Sequence, residues 1–224
     1  MRENIISIQN VEKSFRGNMA LKNVSIDFEK GKIHGLIGRN GSGKTVLFKC
    51  ICGFMPYDSG TISIDGKVIG KDIDVPTNIG IIIEEPGFLS NYSGLRNLMI
   101  LASIQKKISK HEVRIIMEKV GLDPDNKKSV GKYSMGMRQR LGIAQSIMEN
   151  PDILILDEPM NGLDKNGVKE VRALLLNLSK NGQTILLASH NAEDIDVLCD
   201  TVCEMDGGEL SLIRNSKSSV STTV

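Results

Sequence analysis

The chain has no tryptophan, and aromatic residues make up only 4% of its 224 positions. Proteins that hold single-stranded nucleic acid stack bases on such rings, so that class is disfavoured from the start. An excess of one charge is also missing. Lys and Arg total 28 against 27 Asp and Glu, for a net charge of +1. A phosphate backbone finds no basic footprint there, and nucleic acid is not an expected partner. No apolar run reaches the length of a membrane span, and the N-terminus lacks the apolar core of a signal peptide. The chain is therefore expected to be made and kept in the cytosol. Its four cysteines fall as Cys50/Cys52 and Cys199/Cys203, neither pair with CxxC spacing. They are expected to be reduced, packed thiols rather than a metal or redox centre.

One stretch stands out against this plain background. Gly38, Arg39, Asn40, Gly41, Ser42, Gly43, Lys44 and Thr45 spell G-x-x-x-x-G-K-[ST], the phosphate-binding loop. The apolar run 33–37 before it reads as a buried strand, and 44–51 after it reads as a helix. A helix N-terminus offers unpaired N–H groups and the positive end of a dipole to a polyphosphate. Gly41 and Gly43 carry no side chain to keep the backbone from wrapping the phosphates. Lys44 supplies a point charge for the β and γ phosphates, and Thr45 a hydroxyl for Mg²⁺.

Along the rest of the chain, 5–11 reads as a first strand and 14–18 as a polar loop carrying Phe15. Val24, Ile26 and Phe28 alternate with Ser25, Asp27 and Glu29, as in a half-buried antiparallel strand. A short strand at 61–64 ends in an Asp65-Gly66 turn, and 79–83 is apolar enough to be covered on both faces. From 94 to 120 the apolar period becomes helical, and 134–149 is a further helix. Strands at 153–156, 184–188 and 201–205 then alternate with helices at 166–179 and 191–198. That alternation implies an α/β fold with a parallel sheet. Residues 1–86 and 151–214 are expected to form a nucleotide-binding core, 87–150 a helical insertion, and 215–224 a flexible tail.

The second strong signal is Ile153, Leu154, Ile155, Leu156, Asp157, Glu158 and Pro159. Two carboxylates stand at the C-terminal end of a buried strand, where open α/β sheets bind ligands. Adjacent strand residues point opposite ways, so the two are expected to differ in role. Asp157 would steady Mg²⁺ through water, and Glu158 would polarise the attacking water.

Tyr133, Ser134, Met135, Gly136, Met137, Arg138, Gln139, Arg140 and Leu141 carry a family resemblance. This run is similar to the LSGGQ signature of ATP-binding cassette (ABC) transporter subunits, and the likeness extends over residues 5–210. The resemblance implies a P-loop ATPase core with an antiparallel β subdomain and an inserted helical subdomain. It implies that ATP and Mg²⁺ are bound and that two copies sandwich two ATP molecules head to tail. Ser134 and Gly136 of one copy would then cap the γ-phosphate held by the other. It also implies that Phe15 stacks on adenine, that Asn161, Gly162, Leu163 and Asp164 run along the dimer interface, and that His190 senses the γ-phosphate. The chain would be peripheral on the inner face of the membrane, bound to a separate integral membrane permease. Phe88, Leu89 and Tyr92 are candidates for that contact. Acting as a non-transport soluble ABC ATPase is the alternative.

Two departures mark a subgroup. Met135 and Met137 stand where the signature has Gly and Gln, and Glu84 stands where the family has the Q-loop Gln, with Glu85 the alternative register. The first resembles exporters of the drug and antimicrobial-peptide type, and the second the lantibiotic-immunity and export group. Glu keeps an oxygen for Mg²⁺ or water but loses the amide donor and adds a negative charge. Glu84→Gln is therefore expected to keep ATP binding and to change transport-coupled turnover. Wild-type turnover and peptide resistance in that variant would remove any special role for the acid.

Overall fold

The computed structural model describes residues 3–215. The flexible tail expected from 215 onward lies outside them, except for Asn215. In chain order the elements are β1 (Asn4–Phe15), β2 (Asn18–Glu29), β3 (Ile33–Ile37), α1 (Lys44–Ile51), β4 (Ser59–Ile64), β5 (Lys67–Val68) and β6 (Ile79–Ile82). Then follow α2 (Gly94–Gln105), α3 (Lys110–Lys119), a 3₁₀ turn (Val130–Lys132), α4 (Met135–Ile147), β7 (Ile153–Asp157), α5 (Lys165–Lys180), β8 (Thr184–Ala188), α6 (Ala192–Leu198), β9 (Thr201–Asp206) and β10 (Glu209–Arg214).

Two sheets result. One is antiparallel with order β2-β1-β4-β5, and the other has order β10-β9-β3-β8-β7-β6. In the second sheet β9, β3, β8, β7 and β6 pair in parallel, and only β10 runs antiparallel to β9. The unbroken apolar strands follow from burial on both faces. Leu154, Leu156, Ile185 and Leu187 point into the core shared with helices α2 to α6. Ile153, Ile155, Leu186 and Ala188 point into the core between the two sheets, where Leu47, Phe48 and Ile51 of α1 also sit. Each such side chain contributes about 1.5–3 kcal/mol by leaving water. Cys50, Cys52 and Cys203 are packed in that second core and Cys199 in the first, none of them in a disulfide. Burial pushes Cys50 up to about 11 and Cys52 and Cys203 to about 12, so these thiols are inert near neutrality.

Several local expectations are corrected. The loop expected at 14–18 is a two-residue turn, Arg16 and Gly17, because β1 runs to Phe15 and β2 begins at Asn18. Both turn residues have positive φ, 48° and 84°, as a tight hairpin requires. The helical stretch 94–120 is broken at Lys106, which sits at φ 55° and closes α2, while Ser109 and Glu112 form a capping box that starts α3. Strand β10 was not anticipated. Its signal was Gly207-Gly208, which turns β9 back at φ 52° and 89°. That hairpin also supports the phosphate loop, since Gly208 N–H donates to the Ser42 carbonyl at 3.0 Å.

Helix α4 lies against edge strand β6 at Gly80, where a Cβ would run into the Ser146 carbonyl. Gly80→Val is expected to cost about 1–3 kcal/mol by pushing α4 off the sheet. A urea unfolding midpoint equal to that of the wild type would show that the helix does not depend on this contact.

Candidate active site

Strand β3 lies between β8 and β9, and the chain leaves its C-terminal end to form the phosphate loop. Gly41 takes φ 79° in open space, so only backbone freedom requires glycine there. Gly43 has a second reason. At φ 117°, its Cβ would sit 2.6 Å from the Ala20 carbonyl of β2. That glycine lets the antiparallel sheet close over the loop, which phosphate wrapping alone does not explain.

Helices α2 to α6 carry side-chain N-caps, namely Ser93, Ser109, Ser134, Asp164 and Asn191. Helix α1 starts at Gly43 with none. Its first N–H groups have no intrahelical acceptor, and they open onto a cavity of about 560 Å³. The Ser42 hydroxyl is buried beside Gly38 without a hydrogen-bond partner. Lys44, only 8% exposed, donates to the Gly38 carbonyl at 2.6 Å and the Arg39 carbonyl at 3.1 Å. An uncapped helix end with a buried cation fits a polyphosphate anion.

The same cavity is lined by Asn40, Gly41, Gly43, Lys44, Thr45, Glu84, Glu85, Asp157 and Glu158. The Thr45 hydroxyl donates to Asp157 Oδ2 at 2.8 Å. A hydroxyl and a carboxylate this close form an oxygen set suited to Mg²⁺. The expectation that strand alternation separates Asp157 from Glu158 is corrected. Asp157 ends β7, but Glu158 lies beyond it at φ 50°, its N–H bonded to the Ala188 carbonyl. The left-handed turn returns Glu158 to the same cavity, and its Oε1 lies 2.9 Å from His190 Nδ1. His190 itself lines a neighbouring cavity of about 560 Å³ together with Gly38 and Arg39.

Other candidates stand elsewhere within this one chain. Phe15 is 43% exposed at the hairpin tip, with the Lys13 ammonium 5.5 Å from its ring centroid. Ser134 caps α4 by accepting from Met137 N–H at 3.2 Å, and Asp164 caps α5 by accepting from Gly167 N–H at 2.8 Å. At Gly136 a Cβ would sit 2.8 Å from the Gly162 carbonyl, so its small size serves packing of α4 against loop 159–163. Lys49 Nζ holds Glu84 Oε1 at 2.6 Å. Gln139, part of the signature run but given no role from sequence, lines the cavity and donates to the Pro159 carbonyl at 2.9 Å. It thereby ties α4 to the turn that carries Glu158.

Residues 21–161 match the family model described as ABC transporter. An uncharacterised ABC transporter ATP-binding protein of Bacillus subtilis, YybJ, is 44% identical over 92% of this chain and 94% of its own length. The bacitracin transport ATP-binding protein BcrA of Enterococcus faecalis is 40% identical over 93% of this chain and 68% of its own length. The lantibiotic transport ATP-binding protein SrtF of Streptococcus pyogenes is 36% identical, over 93% and 90%. Among solved structures, a dimeric ATP-binding cassette in a post-hydrolysis state bound to ADP and Pi has a similar fold. Its TM-score is 0.86 at 19% identity, covering 95% of this chain and 100% of that one.

A charged network fixes the segment that presents His190. Asp194, only 1% exposed, pairs with Arg172 of α5 at 2.6 Å and accepts from the Ser189 hydroxyl at 3.3 Å. Ser189 in turn accepts from Asn191 N–H at 3.1 Å. Glu193 and Asp194 hold the Arg172 guanidinium above its ordinary range. Asp194→Ala leaves that guanidinium without its buried partner and is expected to cost about 3–5 kcal/mol. Denaturant unfolding is the measurement, and a loss below ~1 kcal/mol would show that the pair is not structural.

Proposed function

The chain belongs to the ABC transporter family as an ATP-binding subunit, and on that premise we propose that it hydrolyses ATP to drive a separate membrane permease. The carrying observation is that the Lys44 helix end, the Thr45–Asp157 pair and Glu158 line one cavity, and that His190 of the neighbouring cavity reaches Glu158. Mg²⁺ bound by the Thr45 hydroxyl and the Asp157 carboxylate would neutralise developing phosphate charge. Lys44 and the α1 N–H groups bind the β and γ phosphates. Glu158 accepts a proton from the attacking water, and His190 orients that carboxylate. Glu84 lines the same cavity, its carboxylate held by Lys49.

Two copies complete the site in this reading. Ser134, Gly136, Asp164 and Phe15 do not line the Lys44 cavity of their own chain. Exposed Ser134 and half-buried Gly136 at the start of α4 suit a surface that meets the γ-phosphate of a second copy. ATP then closes the dimer, and loss of the γ-phosphate contacts opens it. Residues 1–86 and 151–214 act as the nucleotide-binding core, and 87–150 as the signature-bearing helical body.

The permease is the expected membrane partner, because no helix among the described residues is long and apolar enough to cross a membrane. We infer a place on the cytoplasmic face. The supporting surface is a groove of about 300 Å³ between β6, α2 and α4, rimmed by Phe54 and Ile104, which are 58% and 74% exposed. Of the residues named from sequence, Leu89 is exposed, whereas Phe88 packs against the core and Tyr92 lies under the Arg96 guanidinium at 4.0 Å. The relatives named for bacitracin and lantibiotic transport support an antimicrobial peptide as cargo, and we propose export as the direction.

Glu158→Gln tests the chemistry. Turnover is expected to fall about 10²–10⁴-fold while ATP binding persists and ATP-bound dimers accumulate on size exclusion. Turnover within tenfold of wild type would overturn the assignment of the base. For cargo, resistance is measured with and without the chain and its permease against bacitracin and a lantibiotic panel. Unchanged potency throughout would remove the peptide assignment.

A further inference from the structure

Thr45 and Lys49 lie four residues apart on α1 and so share one helix face. Thr45 bonds Asp157 beneath the phosphate loop, and one turn on the Lys49 ammonium lies 2.6 Å from Glu84 Oε1. Glu84 is two residues beyond β6, with its backbone at φ 61°. An L-residue adopts that conformation only at a cost in strain, and here it accompanies a side chain set against α1.

The charge balance of the cavity gives this pair its meaning. Glu84, Glu85, Asp157 and Glu158 all line it, and Lys44 is its lining cation. A triphosphate brings more negative charge to the same space. Each uncompensated carboxylate weakens that binding through Coulomb repulsion. Lys49 does not line the cavity; its ammonium meets the carboxylate instead.

We propose that Lys49 is a positioning residue whose ammonium pins and neutralises Glu84, so that an acidic side chain can stand at the mouth of a triphosphate site. The pairing explains how this chain tolerates a carboxylate where the rest of the site already has three. It rests on the reading above that the cavity holds ATP.

Fluorescent ATP-analogue titrations of the purified chain test it, with Mg²⁺ or with EDTA, at low and at physiological salt. Lys49→Met is expected to weaken binding about five- to tenfold, more at low salt and more with EDTA. Lys49→Arg is expected to retain the affinity, and adding Glu84→Gln to Lys49→Met is expected to recover most of the loss. Exposed ion pairs add little to folding stability, so melting temperatures should stay close together. Wild-type affinity in Lys49→Met, or a double variant as weak as the single one, would overturn the proposal. If the wild type binds no ATP, the nucleotide-site reading falls and this inference with it. If the wild type binds and Lys49→Met is unaffected, only the inference falls.

Discussion

The hydrogen bond from the Thr45 hydroxyl to the Asp157 carboxylate joins two strands that are not neighbours. Strand β3, which feeds α1, and β7, which ends in Asp157, are separated in the sheet by β8. The start of α1 therefore leans across the C-terminal ends of the strands, and a phosphate loop becomes one wall of a cavity. Parallel register makes this possible, because β3, β8 and β7 all end on the same side. Ala188, the last residue of β8, accepts the N–H of Glu158 and so sets the turn that returns the second carboxylate to the site.

Around that wall the chain uses small residues for contact as much as for flexibility. Gly43 admits Ala20 of the antiparallel sheet, Gly80 admits α4 and Gly136 admits Gly162. Each is a place where two backbones meet with no room for a Cβ. The result is a phosphate loop held from above by β2, from behind by the Gly208 turn and from the side by the end of β7. Such a loop keeps its donors aimed before any anion arrives, which is the meaning of preorganisation.

Electrostatics adds a constraint that the motifs alone do not express. Four carboxylates and one lysine face the same cavity. In the reading proposed above, balance would come from cations outside the lining, one a metal that Thr45 and Asp157 suit and one Lys49, whose ammonium lies 2.6 Å from Glu84. His190 adds a partner from outside that lining, its Nδ1 2.9 Å from Glu158 Oε1.

The amino-acid order alone determined the local matters. The run into Gly38 to Thr45, the apolar stretch ending in Asp157 and Glu158, and the late alternation of strands and helices are all short-range patterns. Strands β7 and β8 were legible because burial on both faces demands unbroken Ile and Leu. Where a single residue's backbone angle decided the outcome, the order was silent. Lys106 breaks a helix and Glu158 turns a side chain, and both take φ angles that L-residues seldom occupy. Only the tertiary structure decided which charges meet. Lys49 and Glu84 are 35 residues apart, and Arg172 and Asp194 are 22 apart. Nothing in local propensity fixes such pairs, because their distance depends on how whole elements pack, and Coulomb energy depends on that distance.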